Sequence, residues 1–314
     1  MAVLCLVIWG LTDIFDKKGS PREDKFSCFK FMVWQGIISV ILIMVLTPMS
    51  ESGIFLPSQL GKNAVYLLLS MAYPISIMAG LNGMRYLDAS IASPLENIDG
   101  IVAPVFMLAF FLVTGTVESI GSMFSWLDIL GVALVVSSVI LIGRKEQELA
   151  EKDNIVMADG KKRRIGAKAL IFPILYSVFD AIYTVTSGVF LYSEGSIAMG
   201  EIDFMILYNL AFVVAGVYSF FYILAKMKRP YNPFRKSETV KCISGIMDPL
   251  GSVCYTYALA ANPVLFTPIT SSYCIVTIIA AHILLRERLQ KRQYVCLAFL
   301  VAGIVILAFS SGRN

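Results

Sequence analysis

"SPLENIDGIVAPVFMLAFFLV", residues 93–113, decides how this chain is read. From Gly100 to Val113 every side chain is uncharged, yet Glu96 and Asp99 stand three residues apart just before that run. The whole window, 90–113, exceeds the roughly 20 mostly apolar residues that a membrane-spanning helix needs. A charged side chain at the centre of such a helix costs on the order of 2.5–3.5 kcal/mol on insertion scales, so intramembrane acids face a cavity and carry function. On a helix of 3.6 residues per turn, Ala92, Glu96, Asp99, Ala103, Phe106 and Phe110 share one stripe, while Ile98, Ile101, Val105, Leu108 and Leu112 form the other. The first stripe is expected to face inward and the second to meet lipid.

Nine further windows resemble this one in length and apolarity: 1–16, 29–47, 64–84, 126–143, 169–192, 204–225, 240–261, 264–285 and 293–310. The composition agrees, with 57% hydrophobic and 15% charged residues against about a quarter charged in ordinary soluble domains. Mean hydropathy is +0.75. The expectation is an all-α integral membrane protein with ten transmembrane helices, embedded in the plasma membrane and crossing it many times. The first window has no basic leader and already contains Asp13 and Asp16, so it reads as a retained helix rather than a signal peptide.

The six cysteines are scattered singly with no C-x-x-C spacing, as small buried residues rather than disulfides or metal ligands. No metal or cofactor is expected. The net charge of +4 reports orientation rather than a nucleic-acid partner. Of 26 Lys and Arg, all but Lys62 and Arg313 fall on alternate loops, including the segment 144–168. Basic loops are retained in the cytoplasm, which places both termini outside.

The polar segment 144–168 divides the chain into residues 1–143 and 169–314, each with five windows. A shift of 174 residues lays "YLDASIASPLENIDGIVAP" (86–104) over "AANPVLFTPITSSYCIVTI" (260–278), so that Pro94 meets Pro268. Pro74 and Pro249 fall one residue out of the same register. An odd number of spans per half inverts the second half relative to the first. Inverted repeats with matched helix breaks point to a secondary transporter with its site near the midplane. The expected architecture is therefore two inverted five-helix repeats joined by a basic cytoplasmic linker.

Three stretches carry a resemblance to a known family. "WGLTDIFDK" is similar to a W-G-x-x-F-x-x-x-K start, with Asp13 at the Phe position; "RYLDASIASPL" is similar to Y-x-x-A-S-x-A; "LLRERL" followed by "LVAGIVIL" is similar to G-E-R-L and an apolar last helix, with Arg286 in place of Gly. Together they resemble the drug/metabolite transporter superfamily, EamA type. That resemblance implies a ten-helix carrier of small metabolites with a central cavity, and it implies termini in the cytoplasm, opposite to the basic-loop reading.

Among deeply placed ionisable residues, Glu96, Asp99, Asp248 and Asp180 are the candidate proton or cation sites. Glu96 and Asp99, at i and i+3, are expected to titrate as a coupled pair. Asp248 precedes Pro249, whose missing N–H frees a backbone carbonyl. The lone histidine, His282, lies near a basic helix end and reads as peripheral. Tyr73, Asn97, Tyr183, Tyr257, Ser271 and Tyr273 are expected to wall a substrate cavity, the tyrosines attracting organic cations through their ring faces. Buried acids without buried bases favour an amine, quaternary ammonium compound or amino acid over a phosphorylated solute. The expected function is proton-coupled transport by alternating access. An intramembrane enzyme or an uncoupled facilitator would also use paired carboxylates, but no H-E-x-x-H or G-x-S-x-G is present, so no enzyme is expected.

Overall fold

The computed structural model describes residues 1–50, 57–117, 125–134, 137, 141, 167–193, 195–227, 230–287, 294–295, 298–299, 302–303, 305–306 and 310. The segment 144–166 of the expected linker, Cys296 and most of the last apolar window lie outside the described residues.

Among the described residues the chain is all-helical. In order, the helices are α1 (Ala2–Gly19), α2 (Ser27–Leu46), α3 (Pro57–Ser70), α4 (Ala72–Met84), α5 (Ala89–Glu96), α6 (Asp99–Thr114), α7 (Ala167–Tyr192), α8 (Glu201–Met227), α9 (Thr239–Ala261), α10 (Pro263–Thr270) and α11 (Cys274–Ala280). Residues 126–134 are also helical. Among the described residues, five stretches are long and apolar enough to cross a membrane: Ser27–Met49, Leu60–Met84, Ile171–Tyr192, Glu201–Met227 and Pro263–Leu285. Their outer faces expose Val40, Met44, Leu68 and Phe221, and the shorter α6 exposes Val105 and Val113, a covering suited to lipid and costly in water. These features mark a helical membrane protein.

Several spans are broken, and the breaks follow from sequence. α3 and α4 meet at a turn on Met71, three residues before Pro74. α5 and α6 meet at Asn97–Ile98; the Asn97 amide donates back to the Ser93 carbonyl at 2.7 Å and fixes the turn. The Pro263–Leu285 stretch is interrupted by a 3₁₀ turn at Ser271–Tyr273 and ends in a π turn over Ala281–Leu285.

The buried face of α6 corrects the expected stripe. Ala92, Glu96, Asp99 and Ala103 do face inward, but the buried face continues in four-residue steps through Met107 and Phe111, and Phe106 is 61% exposed. The departure lies within α6, after Ala103, where a step of four rather than three meets the interior.

Element boundaries recur 174 residues apart: α2 begins at Ser27 and α8 at Glu201, while α5 spans Ala89–Glu96 and α10 Pro263–Thr270. The packing recurs with them. α1 lies against α9, α10 and α11, and α7 lies against α4, α5 and α6; α2 and α8 pack on each other. At that last crossing, a Cβ on Gly216 would stand 2.9 Å from the Gly36 Cα. Two bare backbones touch there, as small residues allow between membrane helices.

The basic residues between α1 and α2 and after α4 meet at one end. Arg22 donates to the carbonyls of Arg85 and Tyr86 at 3.2 and 3.0 Å, Arg85 donates back to Arg22 O at 3.1 Å, and Lys17 donates to Met84 O at 2.8 Å. At the same end the Glu287 carboxylate accepts from the free N–H groups of Ala89 and Ser90 at 3.1 and 3.0 Å, capping α5 from the far half of the chain.

Candidate functional site

Six carboxylates and an aromatic wall occupy the middle of the bundle, in two adjoining cavities. Trp9 from α1, Tyr73 from α4, Tyr176 from α7 and Tyr273 from the 3₁₀ turn line both. The rings support one another: Tyr73 stacks on Tyr183 with centroids 4.5 Å apart, and Trp9 meets Tyr255 at 5.1 Å and Tyr273 edge-on at 5.9 Å. Gly251 makes room for Trp9, since a Cβ there would fall 2.4 Å from the indole. The indole N–H donates to Asp248 O at 3.2 Å.

The first cavity adds Asp13, Asp16, Glu96 and Asp248. Three of these acids are supplied with donors by the protein. Asp13 Oδ2 accepts from Ser93 and Thr277 hydroxyls, both at 2.7 Å, and Asp16 accepts from the Ser244 hydroxyl. Asp248 accepts from Tyr73 at 3.3 Å on one oxygen, and from Gln35 at 3.3 Å and Tyr208 at 3.4 Å on the other. Glu96 differs. It is 1% exposed and its Oε1 has no hydrogen-bond partner, although a buried unpaired acceptor is costly. The space before it is kept by Gly80, where a Cβ would lie 3.1 Å from that oxygen and 2.7 Å from the Tyr176 ring.

The second cavity adds Asp99, Asp180, Tyr183, Thr184, Tyr255 and Ser271. Asp99 is 2% exposed, and its Oδ2 accepts from Ser271 Oγ at 3.3 Å. Asp180 lines the same cavity, while Asp99 Oδ1 is buried with no hydrogen-bond partner. Two carboxylates sharing one cavity with no basic side chain do not both carry charge cheaply. Gly100 brings Ser271 this close: a Cβ on it would be 2.4 Å from the Ser271 Cβ. Between the cavities, the hydroxyls of Tyr176 and Tyr273 lie 3.4 Å apart.

All four expected acids therefore line cavities, but not as expected. Glu96 and Asp99 do not form a pair: the first shares its cavity with Asp13, Asp16 and Asp248, the second with Asp180. The turn between them separates two residues that an unbroken helix would stack. Tyr73, Tyr183, Ser271 and Tyr273 line these cavities. Tyr257 does not; it is 40% exposed on the outer face of α9, two residues from the inward Tyr255. Asn97 is buried but spends its amide on the Ser93 carbonyl, outside both linings. His282 Nδ1 lies 2.7 Å from Glu287 O, away from the cavities.

Sequence reasoning passed over Asp13, Asp16 and Trp9 as site residues. Their signal was present: "TDIFD" places two acids at i and i+3 on the face that also carries Trp9. No Lys, Arg or His lines either cavity. Among the described residues, no group of three or more His, Cys, Asp or Glu has the arrangement of a metal site. Cavity volumes are small, about 30 Å³ and about 10 Å³, where a single water needs roughly 10–15 Å³ and a drug-sized ligand sits in roughly 300–1,000 Å³.

No family model and no curated protein matches the chain. A solved structure, described only as "Crystal structure of protein", shares the fold with a TM-score of 0.62 and 11% identity, covering 99% of this chain and 96% of that one.

Proposed function

We propose that the protein is a multi-pass plasma-membrane secondary transporter of the drug/metabolite type, with ten transmembrane helices in two inverted five-helix repeats. It moves a small organic cation or zwitterion, an amine, quaternary ammonium compound or amino acid, by alternating access coupled to protons. One observation carries this reading: six carboxylates surround an aromatic wall at the centre of a helical bundle, and no basic side chain lines either cavity. Aromatic faces and a desolvated carboxylate together favour an organic cation, and they repel phosphate.

The architecture supports the same reading. Helix starts recurring at 174 residues, with α1 and α7 exchanging equivalent neighbours, are what a two-fold between inverted halves produces. Cavities with room for only a few waters require the halves to move before a solute enters, which is the alternating-access requirement. The meeting of Arg22 and Arg85 at one end supports a cytoplasmic reading of that end, where basic loops are retained.

Uptake by purified protein in liposomes tests the reading. Radiolabelled choline, putrescine, lysine and glucose 6-phosphate are compared at equal concentration; at least one of the three cationic or zwitterionic solutes is expected to accumulate and the phosphate ester not. Uptake of the phosphate ester alone would overturn it.

A further inference from the structure

Resting on the transporter reading, we propose that the two cavities divide the work: Glu96 holds the cationic group of the solute, and the Asp99–Asp180 pair carries the exchanged proton. The sorting follows from which acids are already satisfied. In the first cavity Asp13, Asp16 and Asp248 each accept from protein donors, so their positions are spoken for. Glu96 Oε1 is buried without a partner, in space that Gly80 keeps clear. An ammonium or quaternary nitrogen placed there meets a carboxylate on one side and the rings of Tyr176 and Tyr273 on the other.

In the second cavity the unfilled oxygen is of another kind. Asp99 Oδ1 is buried and receives nothing from a protein donor, and Asp180 lines the same cavity of about 10 Å³. Two like charges in so small and dry a space are costly, so a single proton fits there and a bulky cation does not. Glu96 on α5 and Asp248 on α9, in the adjoining cavity, are acidic as well. Tyr176 and Tyr183 on α7, Tyr255 on α9, Tyr73 on α4 and Tyr273 on the 3₁₀ turn complete the surroundings. With no cation lining the cavity, nothing but a proton or the solute itself offsets the pair's second charge.

The turn at Asn97–Ile98 is what makes the division workable. It sets Glu96 and Asp99 in separate cavities while leaving them three residues apart, close enough for charge at one to be felt at the other. A cation arriving at Glu96 favours the ionised form of the pair, whose proton leaves to water; when the cation departs, the pair takes a proton back. One positive charge replaces another, so solute and proton exchange in opposite directions.

Proteoliposomes containing wild type, E96Q, D99N or D180N separate this scheme from the simpler one in which Glu96 and Asp99 act as a single site. Choline and putrescine are the probes, and two activities are read: solute-for-solute exchange at equal pH, and accumulation driven by a pH gradient. D99N and D180N are expected to behave alike, losing gradient-driven accumulation while retaining a larger share of exchange than E96Q does. E96Q is expected to lose exchange by about 10- to 100-fold, the worth of a charged hydrogen bond. D99N grouping with E96Q while D180N resembles wild type would overturn the division. Loss of exchange in D180N would do so too, provided the variant elutes as wild type does on size exclusion and E96D restores exchange in the same preparation. A wild type that moves neither probe in either assay would instead sink the transport reading itself, and this inference with it.

Discussion

At the residue scale, the chemistry turns on which buried acids have donors. Glu96 was legible in the sequence because a carboxylate beside fourteen uncharged residues has no cheap explanation. Asp13 and Asp16 were not, because they stand near a basic helix end, where an acid ordinarily reaches water. The structure folds Ser93, Thr277 and Ser244 over them instead. Asp13 thus joins α1 to α5 and α11, and its removal acts on stability as well as function. D13A leaves two buried hydroxyls without their acceptor and is expected to lower stability by about 1–3 kcal/mol, read as a lower melting midpoint in detergent. Tyr257 gives the contrasting expectation. Since its ring faces outward, Y257F should leave solute uptake at the wild-type level, whereas G80A, whose Cβ enters the space before Glu96 and against the Tyr176 ring, should lower it sharply.

At the scale of the helix, the breaks matter more than the spans. Pro94 and Pro268 disclosed a shared register, and the recurrence of α5 at α10 falls on it. Which of two adjacent side chains a helix turns inward was not legible. One continuous period places Phe106 inward, and α6 buries Met107 there instead. Asn97 looked like a cavity residue for a related reason: a polar side chain beside an acid is hard to tell from one that ends a helix. Arg286 shows the reverse case, where a departure from a pattern had a backbone meaning. It takes a left-handed conformation, φ 58°, at the position where the resembled motif carries glycine. R286G should therefore stabilise the chain by roughly 1 kcal/mol, measured as a raised melting midpoint. Gly216 argues the opposite way: with the Gly36 backbone 2.9 Å from a would-be Cβ, G216V should separate α2 from α8 and cost about 1–3 kcal/mol.

At the scale of the whole molecule, the central claim is that an acidic, aromatic centre binds an organic cation in exchange for a proton. The composition and the apolar windows were enough for a helical membrane protein, because hydrocarbon forces every spanning backbone to satisfy itself. They were not enough for the site, since its two cavities are assembled from α1, α4, α5, α6, α7, α9 and the Ser271–Tyr273 turn, segments up to some 260 residues apart in sequence. Glu287 illustrates the same limit: its carboxylate caps α5 across 198 residues, a contact that no local pattern announces. The most direct test places a pH-sensitive dye inside sealed proteoliposomes and adds choline or putrescine outside, with no imposed gradient. The account predicts that solute entry drives protons out and raises the internal pH in wild type, and that the change is absent in E96Q and D180N. Solute entry in wild type with no change of internal pH would contradict it.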